Sequence, residues 1–149
     1  MALALEGPHI PAELMVRAEL ARGLATSGEV GEAAEHLAHC EALLATEDWR
    51  GQTGNVELAR GALAAAQGQH ELAEATHARA LATFTMYQLP WRQAETLLAW
   101  ARWLAAAGRP DDAEAKDRAA SDTYHAIGAA NRWRRRLPER NAAVPPAQP

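Results

Sequence analysis

Three groups of residues have the types and spacing for chemistry. His36, His39 and Cys40 stand at i, i+3 and i+4, which on a helix puts them on one face within reach of a single transition metal. No second Cys or His cluster completes a tetrahedral set, and a reduced cysteine among small residues behaves as a small hydrophobe, so no metal is expected. Trp49, Trp91, Trp100, Trp103 and Trp133 form the second group, in a chain with one Phe and two Tyr. Such rings stack on ligands, but core packing is the expectation for Trp100 and a groove-facing or inter-hairpin position for Trp103. Trp49 and Trp91 fall near expected joints, and Trp133 falls where it would cap an end. The third group is the run Asn131 to Arg140, with five arginines and one acid, which leaves the rest of the chain near −8. No helix-turn-helix surrounds it, so nucleic acid is not an expected partner. Solvation of a terminal helix, or pairing with Asp111, Asp112, Glu114, Asp117 and Asp122, is the plainer role. His70 and His77 are expected at the surface or an interface.

An enzyme needs a nucleophile with a base, a poised acid pair, a metal cluster or a phosphate loop. Serine occurs only as Ser27 and Ser121, and no G-x-x-x-x-G-K-[ST] or G-x-G-x-x-G string is present. The carboxylates are spread along what read as helix surfaces. Catalysis and a cofactor are therefore not expected.

What must position these residues follows from composition and repetition. The chain has 149 residues, of which 37 are alanine and 5% aromatic, a mix that favours helix over sheet. Nineteen acids against fifteen bases give a net charge of −4, which offers no general field for nucleic acid or an anionic membrane. The single cysteine cannot form an internal disulfide, no apolar run approaches membrane-spanning length, and the first residues lack the basic start of a signal peptide. A cytoplasmic, soluble single domain is the expectation.

Gly28, Gly68 and Gly108 recur at a spacing of 40 residues. Ala33, Ala73 and Ala113 follow each of them by five. Ala25, Ala65 and Ala105 precede them in the same frame, and Cys40, Ala80 and Ala120 follow. Text free of proline leads into each glycine, over Ala12 to Ser27, Gln52 to Gln67 and Arg92 to Ala107, and reads as a helix closed by a left-handed glycine. A second helix follows each time, over Val30 to Ala45, Gln69 to Tyr87 and Pro110 to Ile127. Pro110 suits a first helical turn, and Asp111 and Asp112 favour its positive end. The sequence thus predicts an all-α domain of three helical hairpins over residues 12–137, in units of about 12–50, 51–90 and 91–130, plus a short seventh helix. Residues 1–11 are expected to be loose and the proline-rich 138–149 disordered. One hairpin cannot bury both its apolar stripes, so successive hairpins are expected to stack. In the third unit Leu97, Trp100, Ala101 and Leu104 form one face over Ala113 and Ala120. In the first, Leu20, Ala21 and Leu24 face Ala33, Leu37 and Cys40. The second unit places Glu57 and Arg60 where large apolar residues are wanted. The string Glu19-Leu-Ala-Arg-Gly23 recurs as Glu57-Leu-Ala-Arg-Gly61 at an offset of 38, so a two-residue slip using Leu58, Ala59 and Leu63 is an open alternative.

Leu20-Ala21, Leu24, Gly28, Ala33, Leu37 and Cys40, matched by Trp100-Ala101, Leu104, Gly108, Ala113 and Ala120, resemble degenerate tetratricopeptide repeats, with Gly61, Gly68, Ala73 and Ala80 in the same frame. The period of 40 resembles the longer repeats at the carboxyl end of large bacterial regulators that carry an ATPase domain and a LuxR-type DNA-binding domain, or a cyclase domain. Tyr124-His-Ala-Ile-Gly128-Ala resembles their repeat junctions. HEAT-like repeats and a plain six-helix bundle are the competing architectures. The resemblance implies a right-handed α-α superhelix that acts as a non-catalytic protein-interaction scaffold, with the first helices lining a concave groove for a partner peptide or helix. Groove-facing positions carried over from it are Met15, Arg22, Asn55, Leu58, Glu95, Leu98 and Arg102. Arg22 and Arg102 suit carboxylates, and Asn55 suits a peptide backbone. Other readings are the regulatory portion of a larger ATPase/LuxR-type regulator, and a small-ligand sensor with a pocket walled by Trp100 and Trp103. Exposed apolar ends of so short a stack would allow homo-oligomers by end stacking.

Overall fold

The computed structural model describes residues 10–46 and 49–129. Within them the chain forms six helices: α1 (Ile10–Ser27), α2 (Val30–Leu44), α3 (Arg50–Ala66), α4 (His70–Met86), α5 (Pro90–Ala106) and α6 (Pro110–Ala126). The expected seventh helix, the arginine run with Trp133 and the proline-rich tail lie outside the described residues, as does most of the leading segment. Ile10 and Pro11, expected to be loose, instead form the first turn of α1.

The helices begin every twenty residues, so the forty-residue period divides into two equal halves. Stereochemistry sets that spacing. Gly68 adopts φ +71°, its N–H bonds to Ala65 O at 3.1 Å, and the following Gln69 N–H bonds to Ala64 O at 2.8 Å. These two bonds close the helix by satisfying carbonyls that the last turn would leave bare. The same pair of bonds recurs at Gly28, Gly108 and Gly128. It recurs also at Gln88, which takes φ +53° without being glycine. Gln88 and Gly128 thus stand forty residues apart as a second series of stops, offset by twenty from Gly68 and Gly108. Pro90 and Pro110 occupy first-turn positions, where no N–H is required.

The helices pack as adjacent pairs, α1 with α2, α3 with α4 and α5 with α6. Across units, α3 packs on α1 and α2, whereas α5 packs on α4, with no comparable packing joining α5 to α3. The small residues mark the close crossings: Ala33 and Ala73, Cys40, Ala80 and Ala120, and Ala21 and Ala101 are all buried, with Gly61 in the same frame as the last pair. A Cβ on Gly61 would lie 2.9 Å from Thr76 Oγ1, and one on Gly54 would lie 2.7 Å from the Phe84 ring, so α3 and α4 meet at glycines. Leu97, Trp100, Ala101 and Leu104 are buried as one face, as the spacing predicts.

One register left open by the sequence closes, and one expectation is corrected. The middle unit keeps the forty-residue frame without a slip, since Gly54 and Gly61 occupy the places of Leu14 and Ala21. Leu58, Ala59 and Leu63 are buried all the same, because α3 has α1, α2 and α4 around it. Leu20 is 45% exposed instead of joining the α1–α2 core. Its counterparts Arg60 and Trp100 turn toward the preceding unit: Arg60 Nη2 donates to Glu41 at 2.6 Å, and Trp100 packs with Leu81, the counterpart of Glu41. Leu20 has no preceding unit among the described residues. Val16, 61% exposed, is likewise the counterpart of the buried Val56 and Thr96. At the far end of the described helices, α6 exposes Asp117 and Ser121 where α4 carries His77 and Leu81.

Polar residues in the interior bond locally. Thr76 and Thr96 are fully buried, and their hydroxyls donate to the carbonyls of Leu72 and Arg92 at 2.8 and 2.7 Å. Glu57, 8% exposed, accepts from Arg60 at 2.5 Å and from Arg79 at 3.1 Å; with the Arg60–Glu41 pair this ties α2, α3 and α4 together. That chain is why a carboxylate is tolerated in the middle stripe. No described helix is long and apolar enough to cross a membrane.

Candidate functional site

The three groups singled out by residue type separate on folding. Cys40 is fully buried, its Sγ 3.9 Å from Leu14 O, and burial pushes its thiol above the usual range. His39 pairs with Glu13 at 3.0 Å, and the His36 ring lies 3.4 Å from Arg17. Hydrogen bonds from Arg17 and His39 hold the Glu13 carboxyl below its ordinary value. Among the described residues no group of three or more His, Cys, Asp or Glu side chains is placed to hold a metal.

Where α5 stands off from α3, a crevice of about 350 Å³ opens, bounded by α1, α3, the His77 ring of α4 and α5. Its size is at the lower end for small-molecule pockets and suits one or two side chains of a partner. Its walls are mostly methyl groups: Ala25 from α1, Leu58, Ala62, Ala65 and Ala66 from α3, and Ala99 and Ala106 from α5. The helix-forming preference of alanine builds these walls, and its short side chain leaves the space between them unfilled.

Aromatic rings form the α4–α5 side. His77 is 3% exposed, and its ring stacks on Trp103 with centroids 5.9 Å apart and on Trp100 at 6.0 Å. The Nδ1 of His77 lies 2.7 Å from Ala73 O, which fixes the ring and makes Nδ1 the donor. Burial pushes the His77 pKa below 6.5, partly offset by this bond. His77 is therefore a buried wall residue, in place of the surface or interface role its spacing suggested. Trp103 lines the crevice; Trp100 does not, being buried with the Lys116 ammonium 3.8 Å from its ring centre. Trp49 packs on the first-unit core, and Trp91 meets Tyr124 edge-on at 5.2 Å.

Of the seven groove positions, the structure brings three to this crevice: Arg22, Leu58 and Arg102. Asn55 and Glu95 enter an internal network instead. Arg92 of α5 donates to Glu19 of α1 at 2.9 Å, to Glu95 at 2.7 Å and to the side-chain oxygen of Asn55, while the Asn55 amide donates to Gln52 at 2.8 Å. This network ties the first helices of all three units together. Burial would raise the Glu19 carboxyl, but hydrogen bonds from Arg22 and Arg92 outweigh it and hold the group below its ordinary value. Met15, exposed, and Leu98, half-buried, do not line the crevice. Sequence reasoning missed His77 and the alanine walls. The recurrence of Ala62, Ala65, Ala66, Ala99 and Ala106 on first helices was the available signal.

Comparison with protein-family models, with curated proteins and with solved structures finds no match to this chain.

Proposed function

We propose that this chain is a non-catalytic binding module, a right-handed tetratricopeptide-like stack of three hairpins that seats an apolar side chain of a partner peptide or helix between its first helices. The observation that carries the reading is the methyl-walled crevice between α3 and α5, lined by three of the residues the repeat frame assigns to a groove. A helix-in-groove partner places anchors at i, i+3 or i+4, and an opening of this size takes one such anchor. The test is selection of a phage-displayed library of 12-residue peptides on the wild-type chain and on Ala99→Phe, which fills the crevice from α5. Clones that bind wild type and lose binding to the variant are the expected result. A selection that yields no such clones overturns the reading.

A second proposal concerns self-association, favoured by the unequal ends of the stack. Val16 and Leu20 are apolar and exposed on α1, at positions that are covered in the later units. Sedimentation at rising concentration is expected to show a species heavier than the monomer, suppressed by Val16→Glu with Leu20→Glu. A monomer at all concentrations refutes it.

A further inference from the structure

We infer that the crevice selects an acidic partner segment, one whose apolar anchor is flanked by a carboxylate that Arg102 and Arg22 hold. This rests on the binding-module reading and adds the sign of the charge recognised.

Three observations carry it. First, Arg22, His77 and Arg102 are the titratable groups on the crevice wall, and no acidic residue is among its described lining, in a chain whose net charge is −4. Second, the arginines of this fold are otherwise spoken for: every other described arginine side chain has a carboxylate within ion-pair distance. Arg102 is exposed and makes no ion pair or hydrogen bond among the described residues. A guanidinium has five N–H donors in a planar fork that matches a carboxylate, and the one with no carboxylate in ion-pair distance among the described residues stands beside the crevice. Third, Arg22, lining the crevice from α1, gives its Nε and Nη2 to Glu19, at 3.1 and 2.5 Å. Glu19 is shared with Arg92, so its charge is divided between two cations and Arg22 keeps Nη1 for an anion.

The crevice thus presents an apolar floor of Leu58, Ala62 and Ala99, an aromatic wall at Trp103, and cationic donors from two helices. A carboxylate beside an apolar anchor meets both features at once. A basic segment would bring a cation to Arg102 with no acid nearby in the lining to receive it, and like charges in that setting are repelled.

The experiment uses the clones from the selection above whose binding depends on the open crevice. Their sequences are expected to carry more Asp and Glu than Lys and Arg. The tightest is then synthesised together with an isostere bearing Gln and Asn for Glu and Asp, and both are titrated against the full chain by calorimetry. Wild type is expected to bind the acidic peptide roughly 3- to 10-fold more tightly than its isostere, a gap that narrows with salt. Arg102→Gln, at an exposed position that circular dichroism will verify as folded, is expected to weaken the acidic peptide and leave the isostere unchanged. Crevice-dependent clones without an acidic excess overturn the inference while the binding-module reading stands. Equal weakening of both peptides by Arg102→Gln overturns it too. Absence of crevice-dependent clones overturns the underlying reading itself.

Discussion

Gly54 and Gly23 both lie inside helices, where replacing glycine by alanine ordinarily gains about 1 kcal/mol through backbone entropy and helix preference. The fold separates them. A Cβ at Gly23 would have nothing within 4 Å, so Gly23→Ala is expected to stabilise the chain by about 0.5 to 1 kcal/mol. A Cβ at Gly54 would stand 2.7 Å from both Cε1 and Cζ of Phe84. Ordinary carbon contacts are about 3.5 to 4.0 Å, so roughly 1 Å must be found by moving a ring that is fully buried or by parting α3 from α4. Overpacking of this kind costs about 1 to 3 kcal/mol, against which the helix gain returns about 1, so Gly54→Ala is expected to destabilise by about 1 kcal/mol. Urea denaturation with a shared slope reads both changes, and thermal melting is expected to shift by about 2 to 4 °C for each kcal/mol in a chain of this size. Phe84→Leu makes room in the same place. The double variant Gly54→Ala with Phe84→Leu is therefore expected to lose less than the two single losses added together. A Gly54→Ala protein stabilised as much as Gly23→Ala would refute the argument that a glycine is needed where α3 meets α4.

Three further outcomes follow from the same geometry. Gln88→Gly is expected to stabilise the chain by about 0.5 to 1 kcal/mol, because Gln88 holds a left-handed backbone that glycine adopts without a Cβ penalty; an unchanged or lower melting temperature would contradict this. Glu57→Gln removes the charge that joins Arg60 and Arg79 inside the middle unit, and a loss of about 1 to 2 kcal/mol is expected in chemical denaturation; no loss would mean that the pairs only decorate the surface. His77 favours its neutral form in the fold, so its contribution to stability is complete above pH 6.5 and is lost as pH falls below 6.5 toward its lower folded value. Wild-type stability should decline as pH falls below 6.5, before the Glu13 and Glu19 carboxyls begin to contribute their own acid loss below about 4.5. His77→Gln should flatten the decline in that window even if it lowers stability throughout, and an equal slope in both proteins would refute the assignment to His77.

The helices were legible in the sequence because their signals are local. Gly28, Gly68 and Gly108 end helices through the conformation of one residue, and the Leu97, Trp100, Ala101, Leu104 spacing belongs to a single helix face. Ala33, Ala73 and Cys40 could be assigned to crossings because a close approach needs a small side chain whatever lies opposite. Other features depended on partners distant in the chain. Arg92 captures Glu19 across 73 residues and takes up Asn55 and Glu95, two positions that the tetratricopeptide resemblance would offer to a ligand. His77 reads as a polar residue on an alanine-rich helix, and its burial follows from Gly61 beneath it and two indole rings beside it. Leu20 fits an apolar stripe, yet the neighbour that would cover it belongs to a preceding unit.

The sequence by itself determined that the described chain is helical, where most of its helices stop and which positions must stay small, since backbone conformation, periodicity and side-chain volume act within a few residues. The tertiary structure alone decided that α3 packs on α1 while α5 leans on α4, that methyl-walled space opens between α3 and α5, and that one arginine beside it has no carboxylate partner among the described residues. Those are outcomes of how whole helix faces compete for neighbours, and a contact between side chains 73 residues apart, such as Arg92 with Glu19, leaves no periodic trace in either segment.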